Sequence, residues 1–526
     1  MATYSKVNRE CDPPQIALPR IYNAASEFVD RHIEQGRGER IAFIDDQGEY
    51  TYRSFAERVN RAGNALLALG VRMEDRVLMC MLDTIDFPAV FWGAIKIGAI
   101  PIPVNTLLTA HDYDYMMRDS RARVLVVSDA LMQTLAPILD GQPFLDATVV
   151  SGGEPTPTSL ETLLGQASPE LEPALTTADD VGFWLYTSGS TGAPKGSMHL
   201  HSDIVHTAVL YAENVLGIEA DDVVFSAAKL FFAYGLGNGM TFPLHVGACA
   251  VLMAERPTPD SVMKRLKTHQ ATIFYGVPTL YGAILAQSEL DQAAGSARLR
   301  RCVSAGEALP EGVAKAWSER FKTEILDGLG STEMLHIFLS NRVGEVRYGT
   351  TGKAVPGYEL KLVDEEGDRV PVGEMGELCV KGPSSAVAYW NQRDKSLSAF
   401  RGPWTHTGDK YVVDADGYYQ YCGRTDDMLK VSGIWVSPFE VESALIEHEA
   451  VLEAAVVGQA DASDLIKPKA FVILNDGFEG QASLEQGLKD FVKSRLAPYK
   501  YPRWIEFVDA LPKTATGKIQ RYRLRE

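Results

Sequence analysis

Cysteine is scarce and scattered: six residues in a chain of 526, Cys11, Cys80, Cys249, Cys302, Cys379 and Cys422, with no two at C-x-x-C spacing. That argues against a disulfide framework and a zinc knuckle, and predicts a reducing, cytoplasmic setting. Positive charge is in deficit too. With 51 Lys and Arg against 69 Asp and Glu, the net charge is -18, which argues against a nucleic-acid partner, because such binders present a basic face. Unbroken apolar runs are missing as well. Met1 to Gln15 holds no apolar core of a secretory signal, and the most membrane-like stretch, Phe87 to Val104, is interrupted by Lys96, Gly98, Pro101 and Pro103. It reads as a buried helix running into a buried strand, and no membrane partner is expected.

The composition, 46% apolar with 23% charged and 9% aromatic residues, is that of an ordinary globular protein. A chain of 526 residues exceeds what one hydrophobic core supports, so at least two domains are expected. Short β-branched runs such as VLVVSD (Val124 to Asp129), VVFSAA (Val223 to Ala228) and TIFYGV (Thr272 to Val277) alternate with stretches of helical period, the pattern of a parallel sheet with helices on both faces. Two stretches look like copies of one another. VRMEDRVLMCML leads through an apolar helix into GAIPIPV, and IEADDVVFSAAK leads through a similar length into GACAVLM. Asp75 and Asp222 precede strands, and Gly98-Ala99 and Gly247-Ala248 precede the next ones, which predicts two βαβ units built alike. After Gly357, short strands with Glu366-Gly367 and Asp416-Gly417 turns predict a small antiparallel subdomain. The connector TDDMLKVSG and the capping-box pattern Ser437-Pro438-Phe439-Glu440 then open a further domain. The expected architecture is α/β: a large N-terminal domain, 1–425, of two doubly wound αβ subdomains plus a small β subdomain, and a small mobile α+β C-terminal domain, 426–526. Over 491–526 nine basic residues stand against three acids, a positive end suited to an anionic ligand such as the phosphates of coenzyme A.

The densest chemical signal is YTSGSTGAPKG, Tyr186 to Gly196, which packs four hydroxyl side chains, three glycines and a lysine into one short segment. Glycines let backbone N–H groups approach anionic oxygens, while Thr187, Ser188, Ser190, Thr191 and Lys195 add donors and charge around Gly189 and Gly192, a composition built to hold polyphosphate. It departs from a Walker A loop, which ends in Gly-Lys-Ser/Thr, because Pro194 precedes Lys195 and Gly196 follows it. An ordinary P-loop kinase or GTPase is therefore disfavoured.

Further motifs follow in order: SAGEALP (Ser304 to Pro310), DGLGSTE (Asp327 to Glu333), THTGD (Thr405 to Asp409), GRTDDMLKVSG (Gly423 to Gly433) and PKTATGK (Pro512 to Lys518). Together with the phosphate loop they resemble the adenylate-forming superfamily of acyl-CoA synthetases, peptide adenylation domains and luciferases, over nearly the whole chain. The resemblance implies ATP, Mg2+ and coenzyme A. It implies that the Thr187 loop cradles the β- and γ-phosphates and that Glu333 holds the metal. It also implies that Ala305, Gly306, Glu307, Asp327, Gly328 and Thr332 line the adenine slot and phosphate approach, that Asp409 binds both ribose hydroxyls, and that Arg424 supports the same ribose or the phosphate. Lys518 would reach the substrate carboxylate and α-phosphate. Asp426 would be the hinge on which the C-terminal domain swings, bringing Lys430, Gly433 and Trp435 to a pantetheine tunnel. Of the nearby histidines His199, His201 and His206, none has zinc-type neighbours. His201 matches a family position, and packing near the acyl site is expected of it.

The segment AKLFFAYGLGN, Ala228 to Asn238, falls where relatives gate the acyl pocket, with Phe232 where many carry His and Lys229 where many carry Pro. Phe232, Ala233 and Tyr234 offer no carboxylate to pair with a substrate ammonium, so an acid without an α-amine is expected. Aromatic walls, faced by Ala305, Leu329, Gly330, His336 and Ile337, suit a flat aryl carboxylate. The wording of KLFFAYGLGN with GLGSTEMLHIF looks most like benzoate–CoA ligases. The expected activity is therefore AMP-forming thioesterification of benzoate, with 2-aminobenzoate or hydroxybenzoate ligation, or loading of a carrier protein, as alternatives. Monomer and homodimer are both compatible with the sequence.

Overall fold

A computed structural model describes residues 4–187, 193–425, 427–431, 434–461, 465–497, 499–513 and 519–525, without the side chains of Lys430, Ile434 and Trp435. Two open sheets carry the N-terminal part. The first is parallel, in the order Ile100–Pro103, Arg76–Cys80, Val124–Ser128, Ala147–Ser151. In the second, Ile325–Gly330, Arg301–Ser304, Ile273–Gly276, Val223–Ser226, Cys249–Val251 and Ile41–Asp45 are parallel neighbours, and antiparallel strands close both edges. Strands covered by helices on both faces read as continuous apolar runs, as VLVVS does with all five residues buried.

The copied stretches fold alike in detail. Arg76–Cys80 pairs in parallel with Ile100–Pro103, and Val223–Ser226 with Cys249–Val251. Asp75 Oδ2 accepts the Arg72 N–H and Asp222 Oδ2 the Glu219 N–H, both at 2.8 Å. Each aspartate's carbonyl then accepts the first N–H of the returning strand, from Ile100 and Cys249. Gly98 and Gly247 turn the chain at φ +76° and +86°, a left-handed conformation that a side chain would strain. The connecting helix Asp86–Lys96 is buried from Phe87 to Lys96, as expected of a helix apolar all round. Its Lys96 ammonium is paired rather than stranded, reaching Asp30 Oδ1 and Asn60 Oδ1 at 2.7 Å.

The small β subdomain is antiparallel, Glu359–Val363, Met375–Lys381 and Trp404–Val413 in sequence, with Tyr419–Arg424 on the last strand. The two Gly-containing turns fall between paired strands, as expected. Towards the C-terminus, Val451–Ala460 and Ile466–Leu474 pair antiparallel and Trp504–Phe507 joins in parallel. Helices Pro438–Ile446 and Ala482–Arg495 share an apolar core with them. Ser437 caps the first of these helices by accepting the Glu440 N–H. The Glu440 carboxylate, predicted to return to the cap, pairs with Lys500 at 2.6 Å instead, because an ammonium is a stronger partner than an amide. No helix among the described residues is long and apolar enough to cross a membrane.

Candidate active site

Ligands of open α/β sheets bind beyond the carboxyl ends of strands where the winding reverses. Both sheets reverse at a central strand. Arg76–Cys80 has its successor on one side and Val124–Ser128 on the other, and Val223–Ser226 is flanked likewise by Cys249–Val251 and Ile273–Gly276. The segments leaving these two strands meet: the Leu230 N–H points between the two oxygens of Asp83, 3.3 Å from each. The segment bearing Phe232, and Ala233 and Tyr234 at the start of the helix Ala233–Leu236, thus follows directly on the point where the exits of the two central strands touch. Lys229 anchors its start on the carbonyls of Met253 and Glu255. The Phe231 and Phe232 rings pack tilted against each other, centroids 4.3 Å apart. The Tyr234 hydroxyl reaches the carbonyls of Gly276 and Val303, at 3.2 and 3.1 Å, the ends of two further parallel strands.

Ala305, Gly306 and Glu307 leave the end of Arg301–Ser304, and Asp327, Gly328, Leu329 and Gly330 form the neighbouring strand, with Ser304 opposite Asp327. His336 is buried among the rings of Tyr211, Tyr234 and Phe242. Its Nε2–H donates to the Tyr234 carbonyl at 3.2 Å, and burial lowers its pKa to about 3, so it stays neutral. Ile337 is buried against Gly328.

Burial pushes the Asp83 carboxyl up to about 6, against the opposing pull of Lys229 and the Leu230 amide. A carboxyl with a raised folded pKa contributes stability while protonated, and this is lost as pH rises from the ordinary aspartate value of 3.8 through about 6. Asp83→Asn removes the titration. Its stability relative to the parent should therefore improve by about 2–3 kcal/mol between about pH 4 and about pH 7, read as the gap in urea midpoints. A gap independent of pH would contradict this.

The phosphate-loop motif is the connection of an antiparallel hairpin, Val181–Thr187 with Lys195–Leu200, in which Thr187 faces Lys195. A P-loop joins a strand to a helix, so the departure from Walker A in sequence is matched by a different local fold. Ser188, Gly189, Ser190, Thr191 and Gly192 lie outside the described residues. Tyr115 and Tyr186 brace the hairpin, by a bond to the Pro194 carbonyl at 3.2 Å and to Asp119 Oδ2 at 2.7 Å. Glu333 lies on the turn Thr332–Met334, which Ser331 caps. Its Oε1 accepts the Tyr389 hydroxyl at 2.7 Å, and the face of the same ring lies 4.3 Å from the Lys195 ammonium. Burial lowers the Lys195 pKa, and Glu333 opposes that shift.

Asp409 and Arg424 sit opposite each other on adjacent strands, Arg424 Nη1 donating to Asp409 Oδ1 and to the Thr407 carbonyl at 3.0 Å. Arg424 is near enough to influence both Lys195 and Tyr389 electrostatically, which ties this end to the phosphate hairpin. Asp426, Gly433 and Lys518 lie outside the described residues, as do the side chains of Lys430 and Trp435, whose backbones pair across a short hairpin.

Three residues here escape a reading by motif. Tyr389 sits in AVAYWNQ, which carries no chemical signature. Asp83 lies in LDTID, a short polar break between apolar runs, for which a turn is the ordinary reading. His199 was visible as one of three histidines, yet its role depends on the fold. Its Nε2 donates to the Thr332 carbonyl at 2.7 Å and its Nδ1 meets Asp203 Oδ2 at 2.9 Å, pinning the hairpin to the Glu333 turn. His201, for which packing near the acyl site is expected, is buried and accepts the Ala24 N–H through Nδ1.

The chain resembles known proteins along its length. It is 60% identical over 527 residues, all of both chains, to the benzoate–CoA ligase of Thauera aromatica. Its fold matches the crystal structure of a benzoate CoA ligase from Burkholderia xenovorans LB400 with a TM-score of 0.90 and 51% identity, covering 96% of this chain and 100% of that one. It also matches an anthranilate CoA ligase in complex with anthranoyl-AMP, with a TM-score of 0.93 and 44% identity over 96% and 97% of the two chains. The model of the AMP-binding enzyme family matches residues 29–390 and that of the AMP-binding enzyme C-terminal domain residues 440–518; the chain belongs to the AMP-binding enzyme family.

Proposed function

We propose that this enzyme is an AMP-forming benzoate–CoA ligase: it activates benzoate, or a close aryl carboxylate, as the acyl adenylate and transfers the acyl group to coenzyme A. The observation that carries the reading is the aromatic segment Phe232 to Tyr234, which follows the point held by Asp83 and Lys229 where the exits of the two central strands touch, and is backed by neutral His336. It offers an aryl ring flat apolar walls and offers a substrate ammonium no carboxylate. Full-length similarity to a protein named for benzoate supports the same substrate.

In the first half-reaction a benzoate oxygen attacks the α-phosphorus of ATP and pyrophosphate leaves. Lys195, Thr187 and the hairpin amides hold the departing phosphates, which brings positioned donors to the charge that builds there. Asp409 accepts from the ribose hydroxyls with Arg424 beside it, and the strand ends around Gly306 and Asp327 receive the base. Glu333 fits a hard cation: Oε1 is held by Tyr389, while Oε2 has no hydrogen-bond partner among the described residues. Bound Mg2+ would there neutralise phosphate charge. In the second half-reaction the coenzyme A sulfur attacks the acyl carbon and AMP leaves. The 426–526 domain, with its boundary at Asp426 between the two family matches, carries Lys518 to the site for the first step and Lys430, Gly433 and Trp435 for the second. ATP and coenzyme A supply both steps from the cytoplasm.

The test is AMP release by the purified protein with MgATP and coenzyme A, across benzoate, 2-aminobenzoate, 4-hydroxybenzoate, cyclohexanecarboxylate, octanoate and phenylalanine. Benzoate should turn over best and yield benzoyl-CoA. Preference for octanoate or phenylalanine would refute the aryl reading of Phe232 to Tyr234, and turnover without thioester would favour loading of a carrier protein.

A further inference from the structure

The segment Ser384 to Trp390 belongs to no chemical motif, yet it bridges the two elements assigned above to phosphate and metal. At one end the Ser384 hydroxyl donates to the Met334 carbonyl at 2.8 Å and the Ala386 N–H to the Glu333 carbonyl at 2.7 Å. At the other end it runs beside the strand Lys195–Leu200: Val387 N–H donates to the Met198 carbonyl, Met198 N–H to the Ala388 carbonyl, and Trp390 N–H to the Gly196 carbonyl. Tyr389 stands where these ends meet and is buried, packed on Phe400 at 5.3 Å. Its hydroxyl donates to Glu333 Oε1 and its ring face meets the Lys195 ammonium.

We propose that Tyr389 is a positioning residue of the adenylation site, fixing one Glu333 oxygen with its hydroxyl while holding the Lys195 ammonium on its ring. The inference rests on the roles proposed above for Glu333 and Lys195. Its chemical logic is separation. Left together in a half-buried site, a carboxylate and an ammonium collapse into an ion pair, and MgATP must then break that pair to bind. A tyrosine between them gives each a partner weaker than its intended one: a neutral hydroxyl for the carboxylate and a π face for the cation.

The two halves of the role separate by substitution. Tyr389→Phe deletes the hydroxyl and keeps the ring; Tyr389→Leu deletes both. In full-length protein without the acid substrate, equilibrium dialysis of Mn2+–ATP, with nucleotide in excess over metal, measures its binding to the protein. Tyr389→Phe should weaken Mn2+–ATP binding by about tenfold, the scale of one hydrogen bond to a charged group. Tyr389→Leu should weaken it further and also raise the KM for ATP, while the KM for benzoate stays at the parent value in both. Mn2+–ATP binding by the Phe variant at parent strength would overturn the inference, as would a benzoate KM that rises in step with that for ATP, which marks general loosening. A parent that binds no Mn2+–ATP and releases no benzoate-dependent AMP would instead sink the functional reading on which the inference stands.

Discussion

Lys518→Ala protein is expected to make benzoyl-AMP from benzoate and MgATP about a thousandfold more slowly than the parent, the upper range for losing one positioned donor to a developing charge. It should still convert supplied benzoyl-AMP and coenzyme A to benzoyl-CoA. The asymmetry follows from where charge builds. Attack of a carboxylate on a phosphate brings two anions together, and a cation between them lowers that barrier. In the thiol step the acyl carbon is already activated and AMP departs as an anion, which Asp409, Arg424 and the hairpin would hold in the proposed roles. The flanks of the lysine are anchored: Lys513 and Ile519 pair in an isolated bridge, the Gln520 N–H donates to the Pro512 carbonyl at 2.8 Å, and Arg521 clamps the Glu442 carboxylate at 2.7 Å. In the proposed domain rotation, flanks held in this way would present or withdraw the residue as a unit. Single-turnover formation of labelled adenylate, followed by a thiol chase, separates the steps, and equal loss of both would refute the division of labour.

The parts of this site legible in the sequence are those whose chemistry is local. Thr187 to Gly196 stands out because its hydroxyls, glycines and lysine are neighbours in the chain, the local composition on which the proposed phosphate role rests. The paired βαβ units declare themselves because an aspartate before a strand and a left-handed glycine before the next are local solutions, and Asp75, Asp222, Gly98 and Gly247 occupy them in the fold. Sheet order was not legible. Nothing near Val223–Ser226 announces that its next strand lies on one side and Ile273–Gly276 on the other, because crossover packing on a completed sheet decides it. The residues that assemble the site were hidden for the same reason: Asp83 meets Leu230 across 147 positions, His199 meets Thr332 across 133 and Tyr389 meets Glu333 across 56. A lone Asp, His or Tyr outside any motif has an ordinary reading as turn or core, and only three-dimensional closeness changes it.

Closeness also makes Gly235 a sensitive position beside the proposed aryl pocket. A Cβ there would overlap the Lys229 carbonyl oxygen, lie 2.5 Å from the Lys229 carbonyl carbon and 2.6 Å from the Ala228 oxygen. All three are backbone atoms, so no side-chain rotation relieves the clash. The start of the loop is pinned by Lys229 on the carbonyls of Met253 and Glu255 and by Leu230 on Asp83. Relief must therefore come from its far end, which carries Phe232, Ala233 and Tyr234. Moving that end pulls the Tyr234 hydroxyl from Gly276 and Val303 and the Tyr234 carbonyl from His336. Gly235→Ala should cost about 1–3 kcal/mol of stability, the usual overpacking range. It should lower kcat/KM for benzoate by about a hundredfold, the loss expected when reacting groups are displaced by about 1 Å. ATP binding, set by elements on other strands, should change little. Gly282→Ala is the matched control: it lies in the helix Pro278–Ala286 with nothing within 4 Å of its Cβ, and the added methyl should be neutral or mildly stabilising. If folded Gly235→Ala protein handles benzoate like the parent, the loop from Phe232 to Tyr234 does not form the substrate wall, and the aryl preference must be sought along Leu329, Gly330 and Ile337 instead.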